Sequence, residues 1–441
     1  MSTLRTKIFS LTFILFISCL GTSYSQTETF LNSPSDLDID MEYRPRTEYR
    51  RGYRTLPNNE SDAAFFTSHR ARINVNYSYN DQFLIHTTLQ DIRIWGDTDT
   101  RDANGKAQFY EFYVEPKITD KLSVRVGRQR IKYDNQRLFA ENNWRQAGGQ
   151  HDAVRFMYRN DKLEADLITA YNQNDTSEFG TDYDVDWDFY RGMVSNFVKY
   201  QATDKLTFTS INIADEYTDP TSENTKGHWK FTNGGRLEFQ NNDLTFNLAS
   251  YYQWGHIENG KQHNAYYLEP EIKWDANSKY TLRIGAQIFS GDKNSNDNKS
   301  NAFLTQYGAF HRHNGGMDYT QKTVRTYEHE GILNPYIFQD ISLNNKLRLN
   351  WQSHLFGATT PLTKVENGAT EDLNRIYAWE NDFRFFYQPN HYTTLEMAYL
   401  FLIPDESMSV IPTGKDGNTS QIAQFAYISI NWTPKILNIH R

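Results

Sequence analysis

Residues 71–90 read ARINVNYSYNDQFLIHTTLQ, and the order of polar and apolar side chains in this stretch decides the fold class. Ala71, Ile73, Val75, Tyr77 and Tyr79 fall on one face of an extended chain, and Arg70, Arg72, Asn74, Asn76 and Ser78 fall on the other. Beyond Asn80-Asp81, Phe83, Ile85, Thr87 and Leu89 oppose His86, Thr88 and Gln90. Successive side chains of a strand point to opposite sides, so a period of two on both sides of a short Asn-Asp turn predicts a β-hairpin.

The unit recurs to the end of the chain. Further tight turns stand at 119–121, 160–162, 203–205, 241–243, 276–279, 344–345 and 389–391, each rich in Asn, Asp or Lys. Tyr110, Phe112 and Val114 oppose Glu111, Tyr113 and Glu115, and Leu122, Val124 and Val126 oppose Ser123, Arg125 and Gly127. The same period marks the segments around 163–171, 266–274, 282–288, 347–355 and 379–387. Residues 189–203 and 228–240 fix no register. The segments amount to about eighteen strands, joined by short turns on one rim and long loops on the other. This predicts an all-β, transmembrane antiparallel barrel, with short periplasmic turns and long extracellular loops. Periodicity alone does not say which face is inside, so a secreted sandwich or propeller stays open.

Composition agrees with a barrel. Mean hydropathy is −0.74, yet 15% of residues are aromatic. A wall that meets lipid with alternate residues and carries aromatic girdles has this combination. The N-terminus carries Arg5 and Lys7, an apolar run from Ile8 to Leu20, and small residues to Ser25. It reads as a signal peptide over 1–25, followed by a barrel over 26–432 and a short tail over 433–441. Residues 26–41 read as a loose leader to a first strand near Tyr43–Gly52, on which Arg44, Arg46, Glu48 and Arg50 share one face. The single cysteine, Cys19, falls in the signal segment, and the residues before it fit a lipobox poorly. The formal charge of −8 becomes about −10 without residues 1–25. Such acidity without a basic tail argues against nucleic acid as a partner. The last strand ends on Trp432, an aromatic of the kind that barrel-assembly machinery reads, with lipid of the outer membrane as the other expected partner.

One loop, about 290–334, exceeds ordinary lengths and predicts a lid or an insertion into the lumen. Within it, Asp292-x-Asn294-x-Asn296-Asp297 imitates the start of a calcium loop, but Asp297 stands where glycine is needed and Phe303 where a bidentate glutamate is needed. His311, His313 and His263 lack a metal-ligand framework. No metal or cofactor is therefore expected. An enzyme reading would start from His151-Asp152, but neighbours on a strand face opposite ways, and no serine sits in a nucleophile elbow.

The densest polar stretch is 127–137, GRQRIKYDNQR, followed by Trp144-Arg145 and by His151-Asp152-Ala153-Val154-Arg155. Alternation aims Arg128 and Arg130 at lipid, where an arginine at the midplane costs about 2–4 kcal/mol. A bulge, or a position above the membrane band, would place them near the channel mouth instead. These two elements resemble the alginate-export family of outer-membrane barrels, as do Gly291-Asp292, Asn301-Ala302-Phe303, Gly316-Met317-Asp318-Tyr319 and the strand opened by Glu380-x-Asp382. The resemblance implies passive passage of an anionic polysaccharide or oligosaccharide, such as alginate-like uronates, through an arginine-rich constriction. By position it carries over to Arg128, Arg130 and Arg155, and further to Arg70, Arg72, Arg125, Arg283, Arg348 and Arg384. Asp152, Glu380 and Asp382 would pair with and orient these arginines. Glu111, Glu115, Glu269 and Glu271 also lie on the polar face, which divides the expected lumen into basic and acidic parts. A general porin, a plugged receptor barrel and an outer-membrane hydrolase are the alternatives.

Overall fold

The computed structural model describes residues 34–97, 107–183, 189–219, 226–292, 297–320, 325–326, 329–366 and 368–440. Eighteen antiparallel strands form the wall: β1 (Ser35–Arg51), β2 (Ala64–Tyr79), β3 (Phe83–Ile94), β4 (Gln108–Thr119), β5 (Leu122–Gln129), β6 (His151–Arg159), β7 (Leu163–Tyr171), β8 (Gly192–Thr203) and β9 (Leu206–Thr218) make the first half. The second half comprises β10 (Gly227–Asn241), β11 (Leu244–His256), β12 (Gln262–Asn277), β13 (Tyr280–Phe289), β14 (Ile332–Ser342), β15 (Leu347–Gly357), β16 (Ile376–Asn390), β17 (Thr393–Pro404) and β18 (Ala423–Trp432). Each strand pairs with the next, and β1 closes the ring on β18 through pairs such as Arg46 with Ser429 and Arg50 with Phe425. No helix of the described residues is long and apolar enough to cross a membrane.

Local chemistry sets the short turns. Asn80 and Asp81 both take positive φ, 49° and 50°, as a type I′ hairpin requires. Asn160 Oδ1 accepts the Lys162 and Leu163 N–H groups at 3.0 and 2.8 Å, and Asn344 does the same for Lys346 and Leu347 at 2.9 Å. An asparagine side chain that mimics a backbone turn explains why Asn-x-Lys recurs at this rim.

Burial resolves the ambiguity of the faces. The apolar set is exposed, with Ile73 at 47%, Val126 at 42% and Ile284 at 52%, whereas Arg70, Glu111 and Glu269 on the polar face are buried. A soluble sandwich would bury the opposite set. Exposed Trp95, Trp229, Trp254 and Trp379 stand toward the loop rim, and Trp274 lies toward the turn rim. That arrangement is the paired girdle of a membrane barrel.

Two boundaries differ from the sequence reading. The first strand begins at Ser35 rather than Tyr43, and the expected tail contains a strand, Lys435–His440, that pairs with Asp36–Asp40. Leu37, Ile39 and Met41 alternate with Asp36, Asp38 and Asp40, so the period was present, but an acidic run imitates a loose leader. The unreadable register of 189–203 also has a cause. In β8 and β9, Met193, Phe197, Ile211 and Ile213 face inward and are buried, while Asn196 and Asn212 share the outward side with Val194 and Ala214. The polarity of the two faces is reversed there, because the lumen beside these strands is filled with protein.

Candidate functional site: the lumen and its two inward loops

The loop 130–150 and the described residues 297–320 of the long loop after β13 turn into the barrel and pack on each other and on the wall. Phe139 stacks on Tyr307 at 5.3 Å, Arg137 Nη1 donates to Asn314 Oδ1 at 2.7 Å, and Tyr133 lies flat against Phe197 of β8 at 4.1 Å. The long loop after β13 and the shorter one after β5 thus meet inside the wall.

Wall arginines hold the first loop. Arg44 Nη1 donates to the Asn143 carbonyl at 2.8 Å and Arg46 Nη1 to the Trp144 carbonyl at 2.9 Å. Arg70 reaches the Arg145 and Gln146 carbonyls at 3.3 Å. Trp144 sits between Arg46, 4.0 Å from its ring, and His311, stacked at 3.9 Å. Deeper in the lumen, Tyr133 donates to Asp166, Thr209 to Asp134 and Asn135 to Glu269.

Wall carboxylates hold the second loop. Glu380 Oε1 accepts the Met317 N–H at 2.8 Å, and Asp382 Oδ2 accepts the Gly316 N–H at 2.9 Å and Arg384 Nη2 at 3.0 Å. Gly315 has φ +79°, and a Cβ there would stand 2.4 Å from Glu380 Oε1. Only glycine lets the backbone come this close with that φ. Asp318 completes the anchor: it accepts from Tyr53, lies 3.2 Å from His311 Nδ1 and 3.6 Å from Arg54.

Burial opposes the Asp318 charge, but His311, Tyr53 and Arg54 outweigh it and hold its carboxyl below the ordinary range. A depressed carboxyl contributes stability above its unfolded pKa, about 3.9, and loses that contribution as pH falls through the folded value. The second loop is therefore expected to stay docked near neutrality and to loosen in strong acid. Single-channel records should show added flicker below about pH 4, and Asp318→Asn should show the same flicker at pH 7.

Cavities remain where the loops do not reach. A space of about 710 Å³ is lined by Lys273, Arg236, Arg283, Arg312, Arg348 and Arg384, with Glu238, Glu269, Glu271, Asp340 and Asp134. A second space of about 520 Å³ shares Asp134, Arg236 and Glu238 with the first and adds Lys132, Arg155, Arg159, Lys199 and Glu164. Together they present ten basic side chains against six carboxylates, in a chain whose overall charge is −8. A third space of about 240 Å³, bordered by Trp144 and Phe310, meets the largest at Arg312, Gln352 and Arg384. Arg312 is exposed on the helical turn Phe310–His313. Neither Arg283 nor Arg312 forms a salt bridge among the described residues, and Arg283 Nε is buried without a hydrogen-bond partner.

The residues expected at a constriction are dispersed. Arg283, Arg348 and Arg384 line the largest space, and Arg155 lines the second, held by Asp166 at 2.6 Å. Arg70 and Arg72 are buried; Arg72 donates to Gln90 at 2.7 Å and covers the Tyr110 ring at 3.8 Å, so both are spent on the wall and the first loop. Arg125 pairs with Glu115 at 2.7 Å. Arg130, just beyond the end of β5, binds Glu111 at 2.7 Å and Glu141 at 3.0 Å. Arg128 is corrected: it pairs with Phe112 and Asp152 in register and stands on the outer face, joined to Asp152 by two hydrogen bonds of 2.9 and 2.8 Å. Alternation holds there, and the ion pair with Asp152 is what makes the outward arginine tolerable. Asp152 therefore orients Arg128 away from the lumen, and Glu380 holds backbone rather than arginine. His151 contacts Tyr190 Oη at 2.9 Å, away from Asp152. The calcium-like loop lies partly, and the signal segment wholly, outside the described residues. No group of three metal-ligating side chains occurs among the described residues.

Sequence reasoning omitted Arg44, Arg46, Arg236 and Arg312. The shared face of Arg44 and Arg46 was visible, but their partners lie about a hundred residues away, at 143–146. Arg312 sat in a loop that carried no strand pattern.

A closed eighteen-strand barrel with girdles, a narrowed lumen and inward loops defines an outer-membrane channel. The sequence profile of the alginate export family matches residues 35–375, and the chain belongs to that family. No curated relative matches the sequence. Among solved structures, Acinetobacter baumannii OccAB1 superposes with a TM-score of 0.61 at 10% identity, covering 91% of this chain and 97% of that one. A. baumannii OccAB2 gives 0.59 at 13% identity, covering 93% and 100%, and Pseudomonas aeruginosa OccK5 (OpdH) gives 0.58 at 10%, covering 91% and 99%. At such identities the likeness is one of fold.

Proposed function

We propose that this channel passes anionic saccharides, with short uronates as the substrate class, and that Arg283 and Arg312 are the groups they meet. The excess of cations around the two large lumenal spaces carries the reading. A guanidinium offers carboxylates two parallel N–H donors and stays charged at any relevant pH. Arg283 and Arg312, without carboxylate partners of their own, are the ones open to a passing anion. Interspersed Glu269, Glu271 and Asp340 keep binding weak enough for release, as conduction requires. Arg155, Arg348 and Lys199 extend the basic lining.

A second reading, a channel for small organic acids, is favoured by the space left beside the inward loops, about 710 Å³ at its largest. Vesicles containing the purified protein separate the two. The expected result is faster entry of a uronate trimer than of a neutral trisaccharide, with Arg312→Ala reducing only the former. Equal entry of both trisaccharides would defeat the uronate reading, and entry of monomeric acids alone would select the second.

A further inference from the structure

The outer wall is not uniformly apolar. On β8, β9 and β10, Asn196, Asn212 and Asn233 stand side by side in register. They form a chain of amides: Asn233 Nδ2 donates to Asn212 Oδ1 at 2.9 Å, and Asn212 Nδ2 donates to Asn196 Oδ1 at 3.0 Å. The Trp254 indole donates to Asn233 Oδ1 at 2.8 Å.

This ladder faces out. Its neighbours on the same side, Val194, Phe208, Tyr252 and Trp254, are 41–48% exposed, and the alternate residues Ile211 and Ile213 are buried at 1% and 2%. Asn196 lies four residues above Tyr200, and Asn212 four above Phe208. At about 3.3 Å per residue and a tilt near 40°, that is about 10 Å up a lipid-facing band about 25 Å tall. Beside it, Ser210, Gly235 and Ser250 are also aligned, a run of small residues between larger ones.

Polar groups elsewhere on the outer wall are capped by the wall itself. Ser353 accepts the Trp379 indole N–H at 2.9 Å, and Asn381 Oδ1 accepts that of Trp351 at 3.1 Å, its unpaired amide nitrogen lying in a residue that is 2% exposed and so away from lipid. Asn233 is exposed, and the Asn196 amide nitrogen makes no hydrogen bond among the described residues. Lipid tails supply neither donors nor acceptors, so amides left in them are unfavourable. The same flank carries the outward Arg128–Asp152 pair, 41% and 53% exposed. Arg128, six residues above Leu122, stands about 15 Å up the band.

We infer that this flank, β5 to β11, is an intramembrane interface, and that its occupant is a second copy of this chain. Charge and hydrogen-bond complementarity select that occupant. An amide carries both a donor and an acceptor, and the Arg128–Asp152 pair carries both signs. An amide ladder placed on a two-fold axis along the membrane normal is complementary to itself, which is the condition for an isologous dimer, and the Arg128–Asp152 pair then lies at the edge of the interface. The small residues Ser210, Gly235 and Ser250 let the two walls approach.

Because Cys19 is the only cysteine, single-site cross-linking is clean in a Cys19→Ser background. Asn233→Cys and Ile284→Cys, the latter on the apolar wall and 52% exposed, would be reconstituted in bilayers and treated with a short bis-maleimide. The expected result is a covalent dimer from Asn233→Cys and little from Ile284→Cys. Native mass spectrometry of wild-type protein from nanodiscs should give two copies, and Asn212→Leu with Asn233→Leu should weaken the dimer at least tenfold. A monomeric mass, equal cross-linking at both sites, or cross-linking of Asn233→Cys in native membranes only to a different protein would each overturn the inference.

Discussion

Asp382→Ala is expected to free the second inward loop from the wall. Its carboxylate holds both the Gly316 N–H and the Arg384 guanidinium, and all three groups are shielded from water. Removing one partner of a buried, hydrogen-bonded ion pair costs about 3–5 kcal/mol, because the other charge is left uncompensated. The wall, held by its backbone ladder, has no need of this pair, so the loss should appear in the loop. Hydrogen exchange at the Gly316 and Met317 amides should rise by orders of magnitude, and unitary conductance should increase as the segment around Gly316 leaves the lumen. Asp382→Asn keeps one acceptor for Gly316 and should give a smaller effect. Unchanged exchange in Asp382→Ala would mean that Glu380 and Asp318 hold the loop without it.

Reversal of charge at Arg283 and Arg312 is expected to have the largest effect on selectivity. Both face the same space, and neither forms a salt bridge among the described residues. The double change Arg283→Glu and Arg312→Glu would leave the two large spaces with eight basic groups and eight carboxylates. In a narrow low-dielectric passage, the local sign of charge decides which ion enters. Preference for anions should therefore vanish or invert, while Arg128→Glu, on the outer face, should leave selectivity unchanged. The same double variant in high salt should differ less from wild type, because screening shortens the reach of each charge.

Much of this fold was legible in the sequence because its outer wall meets one uniform solvent. Lipid demands an apolar residue at every second position, and the short turns demand Asn, Asp or Thr for backbone reasons, so hairpins such as 71–90 stand out. The pattern failed where the lumen is filled with protein. Around β8 and β9 the inner side must be apolar to pack on Tyr133, and the outer side carries asparagines, so the expected alternation inverts. The ends of the barrel were hidden by composition: Asp36, Asp38 and Asp40 look like a solvated leader until Lys435–His440 pairs with them.

The site was less legible, for a geometric reason. Arginines on the polar face were visible, but a strand position does not tell whether a loop from far along the chain covers it. Arg70 is covered by residues near 145, whereas Arg283 and Arg348 stay open to the lumen. Glu380 and Asp382 looked like partners for arginines, and Asp382 is one, yet their shared duty is to hold the Gly316 and Met317 backbone. Arg128 shows the reverse case: simple alternation placed it outside, and the structure agrees with alternation rather than with a bulge.

The most direct measurement is the reversal potential of single channels of the wild-type protein in a planar bilayer under a salt gradient, before and after addition of uronate oligomers. The account predicts an anion-selective potential and transient blocks by uronates, both diminished in Arg312→Ala. A cation-selective potential, or currents that ignore uronates while the channel is open, would contradict it.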